Sequence, residues 1–440
     1  MIRPRSAGLL TLLALSAFSN LFAQEQTPPE NPFFFHDGDN PVVFLGDSIT
    51  EQKMYTTLIE TFVLSRYPEW KITFRNAGWS GDTAGLSRRG DFETGLDRDV
   101  LGLKPAAVTI NFGMNDARGG KSTYSKFLEA ETALVQALKK ANVRTVLITP
   151  SPEERYEADA PAGSPYNTML QKYVDGMKLV ADNEQVQIVD LFTPFLKHIE
   201  SGRKAGVLGT KEMPGDPNFV RLTNEGVHPN WGGHLIMASV ILKALKAPAD
   251  ISSVTIDASV RAITSSDGCT VELQDSPPGI IRVTRTDRSL PWPIPKDPSV
   301  DAVLKIPGFD PGTSLNRLMF KIVGLKEDAY KLNLDGVMVG TWTNAELAAG
   351  VNMGMMKTGP IYDQEQQLLT AVLAKNEAYF NRWRNVQLFV LPEWLSKNAS
   401  VEDARKKELA RLDAEIVDAE KKIEALRQPV IHTFRFEPVK

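Results

Sequence analysis

The chain has 440 residues, a formal net charge of −4, and 42% hydrophobic and 24% charged residues, a composition typical of a globular protein with a full core. This length exceeds that of one ordinary domain, so we expect a large domain with an appended region. The near-neutral charge offers no electrostatic footprint for nucleic acid, and no nucleic-acid partner is expected. Cys269 is the only cysteine, which excludes an intrachain disulfide, a cysteine-rich zinc site and an iron–sulfur cluster.

Residues 1–23 have the pattern of a secretory signal peptide. Arg3 and Arg5 form a basic start, residues 9–18 form an apolar core, and a cleavage site follows Ala23. The apolar part is short for a membrane span, and no cysteine follows that could carry a lipid. We therefore expect a secreted or periplasmic protein without a stable membrane anchor, and an uncleaved anchor is the alternative.

From residue 42 to about 246, short apolar runs alternate with longer amphipathic segments. The runs are typical of strands buried on both faces, whereas the segments between them carry apolar residues at helical spacing. Five short strands separated by helices predict a parallel sheet covered on both faces, in one α/β domain over residues 40–246. The predicted strands are Val42–Leu45, Ile72–Phe74, Ala107–Asn111, Thr145–Thr149 and Val186–Asp190.

Four polar motifs follow the strand ends or precede the last helix of this domain. Gly46-Asp47-Ser48 comes directly after the first strand, and Gly78 lies in the stretch after the second. Asn115 follows the third strand, and His228 precedes the last helix. The carboxyl ends of parallel strands meet in one crevice, where open α/β sheets bind their ligands. Each motif alone is ordinary turn chemistry, but the four in this order predict one site.

These residue types suit a Ser-His-acid hydrolase. A serine hydroxyl such as that of Ser48 is a weak nucleophile and needs a base within hydrogen-bond reach. His228 is the candidate base, and Glu225, three residues earlier, is the candidate acid that orients its imidazole. The backbone N–H groups of Ser48 and Gly78 and the side-chain amide of Asn115 are candidate oxyanion donors. This chemistry requires no metal or cofactor, so we expect neither.

The same residues resemble the four motif blocks of the SGNH (GDSL-type) hydrolases. The resemblance covers the whole α/β domain and implies a flavodoxin-like, three-layer α/β/α fold with esterase or lipase activity. It implies Ser48 as nucleophile and oxyanion donor, Gly78 and Asn115 as the rest of the oxyanion hole, and His228 as the base. One departure is Glu225, where the family usually has aspartate. The longer side chain displaces the carboxylate, although glutamate serves in some Ser-His-acid hydrolases.

Competing interpretations of nearby residues are structural. A dinucleotide-binding fingerprint fails because no Gly-x-Gly-x-x-Gly follows the first strand, and a Gly-x-Ser-x-Gly elbow fails because Thr50 replaces its last glycine. Asp47 is expected to form a turn, and His234 is expected to pack or cap within the last helix. His36–Asp39 is typical of a tight turn before the first strand rather than of a metal site.

After residue 247 the pattern changes to short, alternating or β-branched runs separated by Gly, Pro or Asp. Residues 250–345 are therefore predicted to form a small antiparallel β region, split by the Pro-rich segment 290–311. Tyr330–Val337 is predicted to be a hairpin that turns on Asp335-Gly336.

Residues 346–440 are predicted to form a helical hairpin and a terminal strand. Tyr362–Arg384 has an apolar side, and residues 409–426 repeat apolar residues with the spacing of a coiled coil. The simplest arrangement packs these two helices against each other in an antiparallel hairpin. Self-association through 409–426 is the alternative, because short seams are marginal alone. The last piece, Val430–Phe436, is expected to rejoin the β region.

Together these features predict an exported serine esterase that forms an acyl-enzyme, with a small ester or an acetylated polysaccharide as its substrate. Two loops, 151–165 and 201–218, flank the predicted crevice, and neither has a long apolar run, which favours acetyl over long acyl groups. A lysophospholipase or thioesterase is one alternative. A non-catalytic glycan-binding protein is the other, in which Trp292, Trp342 or Trp394 stack on sugar instead of packing in the core.

Overall fold

A computed structural model describes residues 32–154, 164–209 and 220–439 of the chain. Phe33–Lys440 forms one compact unit. The predicted signal peptide lies outside the described residues, as do parts of the two loops that were expected to flank the crevice. Within the described ranges, no helix combines the length and the apolarity needed to cross a membrane.

The described residues form three sheets with helices packed around them. The strands are β1 Val42–Gly46, β2 Phe74–Gly78, β3 Ala107–Asn111, β4 Arg144–Ile148, β5 Gln187–Val189, β6 Asp250–Asp257, β7 Ala262–Asp267, β8 Cys269–Leu273, β9 Ile281–Asp287, β10 Arg317–Val323, β11 Ala329–Leu334, β12 Val337–Thr343, β13 Val351–Asn352 and β14 His432–Pro438. The helices are α1 Ser48–Glu51, α2 Met54–Arg66, α3 Phe92–Asp99, α4 Tyr124–Lys140, α5 Pro165–Glu184, α6 Phe192–Lys204, α7 Trp231–Ala244, α8 Pro298–Val303, α9 Pro311–Leu315, α10 Asn344–Ala349, α11 Pro360–Phe380, α12 Glu393–Ser396 and α13 Ala399–Leu426.

The first sheet is parallel and has the strand order β2-β1-β3-β4-β5, which confirms the predicted flavodoxin-like α/β fold. The chain runs from β1 towards one edge and from β3 towards the other. Because crossovers are right-handed, this reversal places α2 on one face and α4 and α5 on the opposite face. Every residue of β1 is buried, and Gly46 at its end lies opposite Gly78 of β2 and Asn111 of β3.

The second strand differs from its prediction. It was expected at Ile72–Phe74, and it extends over Phe74–Gly78 instead. The strand was predicted from its apolar residues, and the polar pair Arg75-Asn76 interrupts that apolar run. Asn76 is nevertheless buried, because its side-chain amide donates to the Thr50 carbonyl at 2.7 Å and to Thr56 Oγ1 at 3.0 Å. A satisfied buried amide is compatible with a strand but leaves no apolar signal.

The region after residue 247 contains two further sheets, with orders β13-β10-β6-β7 and β12-β11-β14-β9-β8. The prediction of a purely antiparallel region was wrong in one respect, since β6 and β10 pair in parallel. Parallel partners need a long crossover, and the segment from β7 to α9 provides it. The predicted hairpin is confirmed as β11–β12, with positive φ at Asp335 and Gly336 (49° and 88°). The terminal strand β14 inserts between β9 and β11, as expected.

The long helices α11 and α13 form the predicted antiparallel hairpin. Gln364, near the start of α11, donates to the carbonyls of Leu426 and Gln428 at 2.8 Å, and Arg382, past the end of α11, pairs with Asp413. The seam of α13 is buried within the chain, and its innermost residues are Leu412, Ile416 and Ile423. Self-association through residues 409–426 would therefore require this hairpin to open first.

The α/β sheet and the C-terminal region share one apolar core. Trp292 from the Pro-rich segment is fully buried, its indole Nε1 donates to the Leu58 carbonyl of α2 at 2.9 Å, and its ring meets Phe62 edge to face. Val372 and Trp383 belong to the same cluster, whereas a separate, smaller core fills the space between the two other sheets. Trp292 is thus a core residue and not a surface for sugar.

Candidate active site

Ser48 is the first residue of the single-turn helix α1, directly after β1. Asp47 caps this helix, since its carboxylate accepts a hydrogen bond from the Ile49 N–H at 2.9 Å, in agreement with its predicted role as a turn former. Gly46 is required at the strand end, because a side chain there would overlap Thr50 Oγ1 and the Asn111 carbonyl. The local fold thereby holds a half-buried serine at the carboxyl edge of the sheet.

His228 lies in the loop before α7, within hydrogen-bond distance of Ser48. Its Nε2 is 2.8 Å from Ser48 Oγ, and its Nδ1 contacts the carboxylate of Glu225. The structure thus brings together the three residues that the sequence predicted as nucleophile, base and acid. Glu225 is the exposed member, with 54% of its side chain open to solvent, whereas the His228 side chain is 35% exposed.

Glu154 holds the histidine loop in place, a role that the sequence did not indicate. Its carboxylate accepts hydrogen bonds from the N–H groups of Leu222 and Thr223 at 2.9 and 3.0 Å, and its own N–H donates to the Gly226 carbonyl at 2.7 Å. A further bridge joins Thr223 to Pro229 and closes the loop around Glu225 and His228. The imidazole is therefore presented by an internally bonded loop.

The three candidate oxyanion donors differ in whether their N–H hydrogens already bond an acceptor in the protein. The Ser48 N–H starts a helix and has no acceptor within it. Asn115 uses one amide hydrogen to bond the Asp82 carbonyl at 2.8 Å, and a second remains because the amide carries two. The Gly78 N–H is donated to Asn76 Oδ1 at 2.9 Å. Its use for an oxyanion would require that bond to be shared or broken.

Gly78 also has a packing role. A side chain at this position would overlap the backbone of Thr50 and Glu51 in α1. The absence of a Cβ lets the end of β2 lie directly against the helix that carries Ser48. Gly78 is therefore required for the geometry of the nucleophile helix, whichever donors the oxyanion uses.

The buried Arg89 forms hydrogen bonds with the carboxyl ends of β1 and β2. Arg89 donates to the carbonyls of Ala77 at 2.7 Å and Gly46 at 3.3 Å, and it pairs with Asp82 at 2.7 Å and Asp99 at 3.3 Å. The Ala77 carbonyl directly precedes Gly78, and the Gly46 carbonyl lies two residues before Ser48. The sequence pattern did not single out Arg89, because a charged residue in a polar stretch is indistinguishable from a surface residue.

Two further carboxyl groups lie behind Ser48. Burial is the main cause that raises the pKa of Asp47 to about 7, and the nearby Asp116 and Asp82 add to this increase. Burial likewise raises the pKa of Asp116 to about 6, although two backbone N–H groups oppose the shift. Burial therefore favours the protonated form of both carboxyl groups.

His234 packs inside the protein as expected. Its ring stacks on Tyr55, its Nδ1 accepts from the Tyr55 N–H at 3.3 Å, and its Nε2 bonds Gln52 Oε1 at 3.1 Å. Burial, and secondarily His228, lowers the pKa of His234 to about 3, so it stays neutral. Through Gln52, which also donates to the Pro229 carbonyl at 3.3 Å, it supports the loop that carries His228.

Ser48, Glu225 and His228 open into a crevice of 390 Å³. A wider groove of 970 Å³ near Tyr330 in the β region contains none of them. Phe380, at the end of α11, belongs to the crevice lining, and no motif in the sequence had pointed to this residue. The lining residues are Ser48, Glu51, Gln52, Lys53, Ser80, Asn224, Glu225, His228 and Phe380.

Comparison with solved structures shows that this fold recurs. A gut microbial diltiazem-metabolizing enzyme shares 23% identity and a TM-score of 0.72, over 92% of this chain and 98% of its own. An alpha/beta hydrolase enzyme from the metagenome of Lake Arreo, Spain, shares 23% identity, and a catalytic mutant of an acetylxylan esterase from Geobacillus stearothermophilus shares 22%. Each of these two covers 49% of this chain and 98% of its own, with a TM-score of 0.39.

Among curated proteins, none matches the sequence. The sequence model of the GDSL-like Lipase/Acylhydrolase family matches residues 44–236, which include the strand-end serine, the crevice and the histidine loop. Residues 44–236 therefore form a domain of the SGNH (GDSL-type) hydrolase family, and this domain is a carboxylic ester hydrolase.

Proposed function

We propose that this chain is an exported serine esterase that removes acetyl groups from O-acetylated carbohydrates through an acyl-enzyme. The observation that carries the mechanism is the contact of 2.8 Å between His228 Nε2 and Ser48 Oγ, with the Glu225 carboxylate on the opposite ring nitrogen. A serine hydroxyl with a base in this position can attack a carbonyl carbon.

In the proposed reaction, Ser48 Oγ attacks the ester carbonyl while His228 takes its proton. The tetrahedral oxyanion accepts hydrogen bonds from the Ser48 N–H and from the free amide hydrogen of Asn115, and from the Gly78 N–H once Asn76 shares it. His228 then returns the proton to the leaving alkoxide, which departs as the alcohol. Water, activated by the same imidazole, hydrolyses the acyl-enzyme and restores Ser48.

The proposal of a small acyl group and a hydroxyl-rich alcohol rests on the crevice. Among the described residues its lining is mostly polar, and Phe380 is the one large hydrophobic side chain in it. A long acyl chain requires an extended apolar surface to bury its methylene groups, each worth about 0.8 kcal/mol. The described lining offers polar groups instead, which suit the hydroxyl groups of a sugar.

One observation favours the lipolytic alternative. The segment after α11 exposes apolar side chains, among them Phe389, Val390 and Trp394, of which Trp394 is 78% exposed. Clusters of exposed aromatic and aliphatic residues are typical of proteins that bind lipid surfaces. A lysophospholipase or thioesterase therefore remains the second candidate function, and chain-length preference separates it from the first.

The deciding experiment measures hydrolysis of nitrophenyl acetate, butyrate and palmitate, and of acetylated xylo-oligosaccharides, by residues 24–440. Ser48→Ala is the matched control, and a fluorophosphonate probe reports whether Ser48 is nucleophilic. Preference for acetate, together with release of acetate from the oligosaccharide, supports the proposal. Preference for palmitate would favour the lysophospholipase or thioesterase alternative. Absence of both hydrolysis and labelling would refute the serine mechanism.

A further inference from the structure

We propose that Phe380, delivered by α11 of the C-terminal region, forms the wall of the subsite for the alcohol part of the ester and sets the specificity for that alcohol. The inference rests on the proposed esterase function and deepens it. It assigns the region after residue 247 a role in substrate selection, which the family match over residues 44–236 does not include.

Phe380 lies at the candidate active site. It lines the same crevice as Ser48 and His228, although it is more than 150 positions later in the chain than the histidine. Its side chain is half-buried, and the Lys53 ammonium lies 4.1 Å from the ring centroid on one side. Lys53 is itself paired with Glu377 of α11 at 3.4 Å. The aromatic ring is therefore held from one side and open to the crevice.

The neighbours of Phe380 indicate which part of the ester it contacts. The crevice lining contains His228, Glu225 and Asn224 but neither Gly78 nor Asn115. In a serine esterase the histidine must give its proton to the leaving alkoxide, so the alcohol lies on the histidine side of the nucleophile. Phe380 lines the same crevice as the histidine, whereas two of the three oxyanion donors do not belong to that lining.

The side chains around Phe380 indicate what kind of alcohol the subsite would bind. Phe380 shares the lining with polar side chains from α1 and the neighbouring loops, including Gln52, Ser80 and Asn224. A single aromatic face next to several hydrogen-bonding groups fits a ring that has C–H groups on its face and hydroxyl groups at its edge. The subsite therefore suits an acetylated sugar ring better than a simple alkanol.

Phe380 is held in a fixed position, which a side chain needs if it is to distinguish one alcohol from another. Before Phe380, Lys375 pairs with Glu60 of α2 at 2.6 Å, and Asn376 donates to Thr57 Oγ1 and to Glu60 at 2.9 Å. After it, the Trp383 indole donates to Asp99 at 3.2 Å.

At Asn381 the backbone changes to a π-helix that runs to Gln387. Such turns re-aim side chains and are frequent at functional sites. Phe380 is the last α-helical residue before this change, so polar anchors on both sides fix its direction.

The test compares acetate esters that share the acyl group and differ in the alcohol: ethyl acetate, cyclohexyl acetate and mono-acetylated methyl xyloside. For Phe380→Ala we expect kcat/KM for the xyloside to fall roughly 10- to 100-fold, mainly through KM, with ethyl acetate changed by less than about twofold. Phe380→Trp should retain the preference for rings. Phe389→Ala is the matched control, since Phe389 is an exposed phenylalanine of the same region outside the crevice lining.

An equal effect of Phe380→Ala on all three alcohols would overturn the inference. So would an effect that follows acyl length in a parallel series of ethyl acetate, butyrate and hexanoate. Phe380→Leu, measured beside the alanine variant, keeps the test decisive should the smaller residue impair folding. Failure of the proposed function would look different, because the wild-type protein would then hydrolyse none of the esters.

Discussion

Lys375 of α11 donates to Glu60 of α2 at 2.6 Å, and only 2% and 4% of the two side chains are exposed. This pair joins the C-terminal region to the helix that follows the nucleophile turn. Burial lowers the pKa of Lys375, and Glu60 opposes this shift by stabilising the ammonium. The ion pair is therefore a fixed link between the two parts of the chain, and its loss would leave a charge inside the core.

We expect Lys375→Met to destabilise the protein by about 3–5 kcal/mol, because it leaves the Glu60 carboxylate buried without its cation. Urea unfolding followed by circular dichroism measures this change. Lys421→Met is the control, since Lys421 pairs with Asp418 on the surface and its loss should cost at most about 1 kcal/mol. Similar values for the two variants would contradict the structural role of the buried pair.

Truncation after Ala247 should prevent folding rather than release an active domain. The core around the parallel sheet includes Trp292, Val372 and Trp383, and removal of these side chains would expose the apolar surface beneath them. We expect residues 24–246 to be insoluble or to bind a hydrophobic dye, as measured by size-exclusion chromatography and fluorescence. A soluble, active fragment would show that the α/β part is an independent domain.

Asn115→Ala should lower kcat by about 10²- to 10³-fold with little change in KM, because an oxyanion donor acts mainly on the transition state. Steady-state kinetics on an acetate ester measures both constants. The bond from Asn115 to the Asp82 carbonyl is also lost, so the melting temperature must be recorded alongside. A change confined to KM would remove Asn115 from the oxyanion hole.

Glu225→Ala should reduce kcat by about 10- to 100-fold, far less than His228→Ala, for which we expect roughly 10⁴-fold or more. The reason is exposure, since water can reach a His228 Nδ1 whose carboxylate partner is 54% open to solvent. Glu225→Asp tests the effect of side-chain length separately from that of charge, because it keeps the carboxylate and shortens the side chain. Equal losses for Glu225→Ala and His228→Ala would instead make the carboxylate as essential as the base.

Asp47→Asn should make stability less dependent on pH. An aspartate in an unfolded chain has a pKa of about 3.9, whereas burial raises the pKa of Asp47 to about 7. Between these values the folded protein binds a proton that the unfolded chain lacks, so stability falls as pH rises, by at most about 1.4 kcal/mol per pH unit. Asparagine keeps the cap on α1 and removes this slope.

Urea midpoints at pH 5, 6, 7 and 8 test this prediction. Asp91→Asn is the control, because hydrogen bonds from Thr94 lower the pKa of that exposed cap. Its contribution is present above the ordinary aspartate pKa and is lost only as pH falls below it, so the variant should keep the wild-type slope over the measured range. A slope unchanged in Asp47→Asn would exclude Asp47 as its source.

Features that depend on local residue patterns could be predicted from the amino-acid sequence of this protein. Apolar runs separated by amphipathic segments predicted the parallel sheet, and the polar residues at strand ends pointed to Ser48, Asn115 and His228. The predicted sheet is confirmed because a buried strand must be apolar. Parallel strands present their carboxyl ends at one edge, which is why these polar residues were predicted to share a site, and their roles stay predictions. The seam of α13 and the Asp335-Gly336 turn were readable for the same local reason.

The way in which distant segments complete the site depends on tertiary packing, which local patterns do not indicate. Phe380 reaches the crevice because α11 packs on α2, and Arg89 bonds the strand ends because the loop after β2 folds beneath them. The amino-acid sequence does not show whether a charged or aromatic residue is buried or exposed, so a hydrophobic pattern cannot identify such a residue. The Gly78 N–H, predicted to face the oxyanion, is engaged by Asn76, a contact set by side-chain packing rather than by residue spacing.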